Sequence, residues 1–232
     1  MKVVQAPASW GGRAAPRTVD VDSPPRARLV ATTTLPTRHG PFSVGVFHHD
    51  DDDRDHLVIH RGDVGGHDLL VRVHSECFTG EVLGSLMCDC AAQLDDGLRR
   101  IAECGRGLLI YLRQEGRGIG LSAKLRAYAL QAEGADTVEA NLALGLPVDA
   151  RRYEAAAAAL RMLEVGSIRL LTNNPDKLEQ LRHLGIDVRE RVATVLAPNE
   201  HNLRYLKCKS TRMGHRLALE QAASSSAVVD PT

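Results

Sequence analysis

Cys77, Cys88 and Cys90 place three of the chain's five thiols within one short stretch, "HSECFTGEVLGSLMCDCAAQL". The spacing C-x10-C-x-C lets two sulphurs converge where the backbone turns, with a third arriving from a preceding loop. Thiolates favour zinc, at Zn–S distances near ~2.3 Å, and a structural zinc site normally has four protein ligands. Only three are evident here, with His74 a weaker candidate for the fourth. Three ligands would leave a position for water, and an open site brings the pKa of that water down to roughly 7. Spacing alone leaves three readings open: catalytic zinc, structural zinc, or buried thiols without metal. Cys104 has the spacing of a helical core position, and Cys208, flanked by lysines in "LKCKSTR", reads as a surface thiol.

A second chemical element follows in "GLLIYLRQEGRGIGLSAKLRAYALQ", which reads as strand, glycine-rich loop and helix. Gly116, Gly118 and Gly120 allow backbone N–H groups to approach a ligand, and a helix N-terminus favours negative charge. Arg113, Arg117, Lys124 and Arg126 concentrate positive charge in a chain whose 29 Lys and Arg balance 29 Asp and Glu. The pattern is neither the P-loop nor the dinucleotide fingerprint. A tight strand-to-helix turn explains the glycines equally well; the clustered arginines tip the reading towards phosphate. "HHDDDDRDH" also carries ligand-type side chains, but it reads as a solvated loop, since consecutive loop residues do not by themselves converge on one ion.

Bulk composition narrows the classes. With 232 residues the chain can bury a sizeable core. Aromatics at 3% offer few stacking platforms for single-stranded nucleic acid, and a net charge of zero argues against broad binding to polyanions or membrane surfaces. No apolar run approaches the ~18 residues of a membrane span, and the first residues lack a secretory apolar stretch. A reducing, cytoplasmic compartment is therefore expected, where clustered cysteines serve as metal ligands or catalytic thiols.

The elements that must position these groups change type along the chain. Residues 1–30, rich in Pro, Ala and Arg, and 218–232 read as flexible arms around one domain, 31–217. Strands are expected around "LVATTTLPTRHGPFSVGVFHHD", in "HLVIHRG" and in "DLLVRVHSE". Leu94, Leu98 and Ile101 then follow helical spacing up to Gly105. "GLLIYL" is a strand, and "LSAKLRAYALQAEG" a helix with Leu121, Leu125, Tyr128 and Ala132 on one side. "RRYEAAAAALRMLEVG" is a helix by propensity and "SIRLLTN" a strand. "NPDKLEQLRHLG" is a helix capped by Asn174, with Pro175 first and Gly185 as its stop, and "IDVRERV" is a strand. A β-rich first third followed by alternating helices and strands makes an α+β fold with mixed β-sheets and flanking helices.

The motifs "RVHSEC", "CDC" followed by "QL", "RQEGRGIGL", "KLRAYALQ", "DTVEAN", "LLTNNPDK" and "MGH" occur in an order that resembles the GTP cyclohydrolase II family, over roughly residues 70–216. The resemblance implies a zinc hydrolase that opens the imidazole ring of GTP on the route to riboflavin. Formate and pyrophosphate leave, and a diamino-ribosylamino-pyrimidinone 5′-phosphate remains. It assigns Cys77, Cys88 and Cys90 to zinc, and Arg72, Val73, His74, Ser75, Glu76, Gln93, Glu115, Gly116, Arg117, Thr137, Thr172 and Lys177 to the nucleotide. In that assignment Glu76 or Gln93 reads the guanine edge, and Arg117 and Lys177 hold phosphates. Tyr128 lies near the reacting ring, while Asp149 and Arg151 match the family's proton acceptor and nucleophile. A guanidinium stays protonated below a pKa of ~12, so a charge-stabilising role at the α-phosphate suits Arg151 better. Mg2+ on the triphosphate and a homodimer are also implied. Two positions depart from the family pattern: Met87 stands where Arg is usual and Ala91 where Gly is usual. These leave open a specialised homologue that stops at the formylated pyrimidine or serves a secondary pathway. A zinc deaminase is disfavoured because, although His74-Ser75-Glu76 has the H-x-E form, no P-C-x-x-C occurs in the chain. A non-catalytic nucleotide-binding zinc module is the remaining alternative.

Overall fold

The computed structural model describes residues 26–215. Two antiparallel hairpin connections build its first half: β1 (Ala27–Thr37), β2 (Gly40–His49) and β3 (Asp52–Arg61). β4 (Leu69–Ser75), β5 (Gly107–Leu112), β6 (Ile168–Leu171) and β7 (Val188–Val192) complete one seven-stranded sheet of order β1-β2-β3-β5-β4-β6-β7. β3 joins β5 antiparallel, whereas β5, β4, β6 and β7 run parallel. Parallel neighbours need crossovers, and the helical segments of the second half supply them. The architecture is the expected α+β arrangement with a mixed sheet.

Helices cover both faces of the parallel half. α2 (Cys90–Cys104) lays Leu94, Leu98 and Ile101 against Leu70 and Leu109, and ends at Gly105 in the left-handed conformation. On the opposite face, α5 (Glu154–Met162) buries Ala156 to Leu160 against Val71, Val73, Leu108 and Ile110. Five successive alanines, Ala155 to Ala159, let that helix approach the strands closely. α6 (Pro175–His183) has Asn174 as N-cap, accepting from the Asp176 amide, and adds Leu181 to the same core. Buried on both faces, β4 alternates Leu70, Arg72 and His74 towards α2 with Val71 and Val73 towards α5.

Several expectations need correction. Ala27 to Val30, assigned by composition to the flexible arm, belong to β1; residues 1–25 of that arm and the tail 218–232 lie outside the described residues. "HHDDDDRDH" is mostly strand, because β2 runs to His49 and β3 starts at Asp52. In α3 (Leu121–Ala132) the buried residues are Lys124 and Ala127, while Leu125 is 50% exposed. The apolar stripe there does not mark the inward face, since that face borders a polar site. Cys104 is exposed at the last turn of α2 rather than in the core. The described residues also include the helices α1 (Phe78–Glu81), α4 (Thr137–Ala143) and α7 (Leu203–Met213), and a 3-10 turn at Glu115–Gly118.

Candidate active site

The carboxyl ends of β4, β5 and β6 lead into Glu76–Cys77, Arg113–Arg117 and Thr172–Lys177. Ligands of open sheets with parallel strands characteristically bind beyond such ends. Here those segments line a cleft of ≈ 1060 Å3, its open mouth included. Arg72, Val73, His74, Ser75, Glu76, Gln93, Glu115, Gly116, Arg117, Tyr128, Thr137, Arg151, Thr172 and Lys177 all line it, together with Cys77, Cys88 and Cys90. Asp149 stands behind, paired with Arg151 through a two-pronged carboxylate–guanidinium contact.

The three sulphurs lie within 4.8 Å of one another. Cys77 Sγ and Cys88 Sγ are 3.6 Å apart. Tetrahedral zinc with bonds of ~2.3 Å holds its sulphurs roughly 3.8 Å apart, so the trio is already near the spacing it requires. Cys77 comes from the β4–α1 junction, while Cys88 and Cys90 flank the N-cap of α2. Gly80 makes room: a Cβ there would stand 2.9 Å from Cys88 Sγ and 3.3 Å from Cys77 Sγ. The Cys77 thiol is held far down by hydrogen bonds from Cys88 and Cys90, reinforced by Lys124, whose Nζ lies 3.1 Å from the sulphur. Cys88 and Cys90 are pushed up by facing Cys77. A divalent cation would replace their protons. The cluster fits the zinc expected for these residues.

Six cations line the cleft: Arg72, Arg117, Lys124, Arg151, Lys177 and Lys209. Only Glu76 and Glu115 among the lining carboxylates oppose them, and both are engaged. Glu76 accepts from Arg113 Nε at 2.9 Å and Glu115 from Lys124 Nζ at 2.7 Å. Arg117 sits at φ +59°, a strained position for a residue with a side chain, and its Nη1 is buried without a hydrogen-bond partner. That orphaned donor suits an anion. Burial disfavours the charge of Arg151, yet Tyr153 and Asp149 hold it firmly protonated. Lys177 Nζ donates to the Val73 carbonyl, and burial drives its pKa well below the ordinary value. An arriving phosphate would favour its charged form.

The glycine loop does less towards the ligand than its pattern suggests. Gly116 lines the cleft, but Gly118 and Gly120 do not. Gly118, at φ +87°, is needed because a Cβ would meet the Ala150 carbonyl oxygen at 2.7 Å. Arg113 and Arg126 are exposed and off the lining, as are Met87 and Ala91. Sequence reasoning missed the wall supplied by α7, where Tyr205 and Lys209 face the cleft with His215 just beyond. Lys209 Nζ lies 2.9 Å from Asp89 and 4.4 Å from the Tyr205 ring centre. The aromatic-at-i, lysine-at-i+4 spacing of "YLKCK" was the available signal.

A family model described as GTP cyclohydrolase II matches residues 27–193. This chain belongs to the GTP cyclohydrolase II family. It is 53% identical over 196 residues to the GTP cyclohydrolase-2 of Streptomyces coelicolor, covering 84% of this chain and 88% of that protein. Against the GTP cyclohydrolase-2 of Haemophilus influenzae the identity is 47% over 192 residues, covering 82% and 89%. It is also 54% identical over 194 residues to the riboflavin biosynthesis protein RibBA of Salinispora tropica, covering 83% of this chain. The match spans only 48% of that RibBA protein. The matched family segment ends before α7, so the wall carrying Tyr205 and Lys209 lies beyond it.

Proposed function

We propose that this protein hydrolyses the imidazole ring of GTP, releasing formate and pyrophosphate and leaving the diamino-ribosylamino-pyrimidinone 5′-phosphate used in riboflavin synthesis. One observation carries the reading: a zinc-type sulphur triad and a six-cation cleft share one cavity. Zinc, when bound by Cys77, Cys88 and Cys90, supplies a Lewis acid that lowers the pKa of water at neutral pH. Arg117 and Lys177, with Lys124 nearby, hold the phosphates as charge-assisted donors. Arg151, kept charged and aimed by Asp149, stabilises charge developing at the α-phosphate during release of pyrophosphate. Glu76 and Gln93 present acceptor and donor groups suited to the guanine edge. Tyr128, whose pKa burial raises to about 12, stays a neutral phenol able to donate a hydrogen bond to the opening ring. Mg2+ neutralising the triphosphate, a homodimeric assembly and a cytoplasmic setting belong to the same reading.

Met87 and Ala91 stand apart from the lining, which favours complete hydrolysis over a stop at the formylated pyrimidine. Incubation with GTP, zinc and magnesium tests the proposal: formate, pyrophosphate and the aminopyrimidine should appear by mass analysis. Undiminished GTP opening after rigorous chelation would refute it.

A further inference from the structure

A continuous buried chain of hydrogen bonds runs behind the cysteine trio. At one end, Tyr111 donates its hydroxyl to Glu81 Oε2 at 2.6 Å, and His74 Nε2 meets Glu81 Oε1 at 2.7 Å. The other ring nitrogen, His74 Nδ1, faces Arg72 Nη2 at 3.3 Å, and the same Nη2 donates to Gln93 Oε1 at 2.6 Å. Gln93 in turn donates its Nε2 to Asp89 Oδ2, and Lys209 closes the far end on Asp89 Oδ1 at 2.9 Å. Glu81 follows Cys77 by one helical turn, and Asp89 sits between Cys88 and Cys90.

The donors and acceptors admit only one arrangement. Arg72 can only donate, so His74 Nδ1 must accept and the ring must be neutral. His74 then carries its proton on Nε2, donated to a carboxylate that has no proton to offer in return. Arg72, which can only donate, takes the Gln93 oxygen, so the Gln93 amide cannot flip and donates to Asp89, whose other oxygen accepts from Lys209. Gly97 is part of the same device, since a Cβ there would meet Arg72 Cδ at 2.5 Å.

We propose that Glu81 and Lys209 are positioning residues, which lock the tautomer of His74 and the amide orientation of Gln93 for nucleotide recognition. Neither touches the nucleotide in this role. Glu81 fixes the ring because its 2.7 Å contact with Nε2 is much shorter than the 3.3 Å contact of Arg72 with Nδ1, and Lys209 holds Asp89 in place to receive the Gln93 amide. The recognition half of the inference rests on the reaction proposed above; the tautomer half does not.

The test uses the full-length, zinc-loaded protein with 15N-labelled histidine. His74 is identified by the ring signal lost in His74→Gln, and its tautomer is read from long-range 1H–15N correlations without nucleotide. Wild type should show a single Nε2–H tautomer. Glu81→Ala should give a mixture, and Glu81→Gln, which keeps an acceptor, should restore the single form. Lys209→Met should raise KM for GTP by ~10-fold with a smaller change in kcat, and narrow the preference for GTP over ITP. An Nδ1–H ring in wild type would overturn the proposal, and this result stands even where the variants fail to fold. So would an unchanged tautomer in a folded Glu81→Ala protein, or an unaltered GTP-to-ITP preference in Lys209→Met. A protein with the expected ring tautomer that leaves GTP intact would count against the proposed reaction and not against the tautomer lock.

Discussion

Two regions of this molecule carry ligand-type side chains at similar density. In the β2–β3 hairpin, His48 Nε2 pairs with Asp55 at 2.6 Å and His56 Nε2 with Asp52 at 3.2 Å. His48 Nδ1 faces Arg28, and His56 Nδ1 accepts from the Arg113 amide. Every ring is satisfied by a separate neighbour, because alternation along paired strands distributes successive side chains between two faces. Around Cys77, a strand end, a short helix and a helix N-terminus bring sulphurs of like chemistry to one point. Among the described residues this trio is the only group of three or more His, Cys, Asp or Glu placed to share an ion. Density of ligand types therefore decides little; convergence from separate elements decides the chemistry.

Substitutions sharpen that contrast. Cys88→Ser should lower GTP opening by on the order of 10³-fold and reduce bound zinc, checked by formate release and metal analysis. Arg151→Met should cost roughly 10²-fold in pyrophosphate release, since a charged donor is lost and the half-buried Asp149 is left without its partner. Gly80→Ala should weaken zinc binding by ~10-fold in competition with a chelator, because its Cβ presses on Cys88 Sγ. Retention of wild-type affinity there would mean the trio has slack that its contacts do not suggest.

Smaller effects belong to acid titration and to the hairpin. Burial lowers the pKa of His74 to about 4 from an unfolded value of 6.5. The unfolded chain then binds the proton more readily, so the stability this neutral ring contributes is complete above pH 6.5 and lost progressively towards pH 4. Denaturation midpoints across that window should fall less steeply in His74→Gln. Smallest of all, His48→Asn should shift stability by only ~0.5 kcal/mol and leave zinc content unchanged, because its partner Asp55 is largely exposed. A loss of zinc in that variant would break the comparison.

Much of the parallel half was readable because its signals are local. Leu94, Leu98 and Ile101 announce α2, Gly105 ends it, and Asn174–Pro175 announces α6. The inward face of α3 was not, since a helix bordering a polar cleft turns Lys124 inward and leaves Leu125 in solvent. Arg72 was singled out only through family resemblance, and His74 apart from it only as a weaker fourth zinc ligand; nothing in "LLVRVHS" itself says that a buried strand carries two polar side chains into a site. What α7 packs against was invisible for a different reason. Its lysine meets Asp89 from 120 positions away, and no window along the chain spans that interval.

That interval also bears on chain order: the sulphur triad and the first five strands come long before Tyr205 and Lys209, and β7 only shortly before them. Closing so long a loop adds little entropic penalty beyond a shorter one, as each doubling costs only ~0.6 kcal/mol. α7 thus both walls the cleft and seats a counter-charge against Asp89, joining distant parts of the described chain at one site.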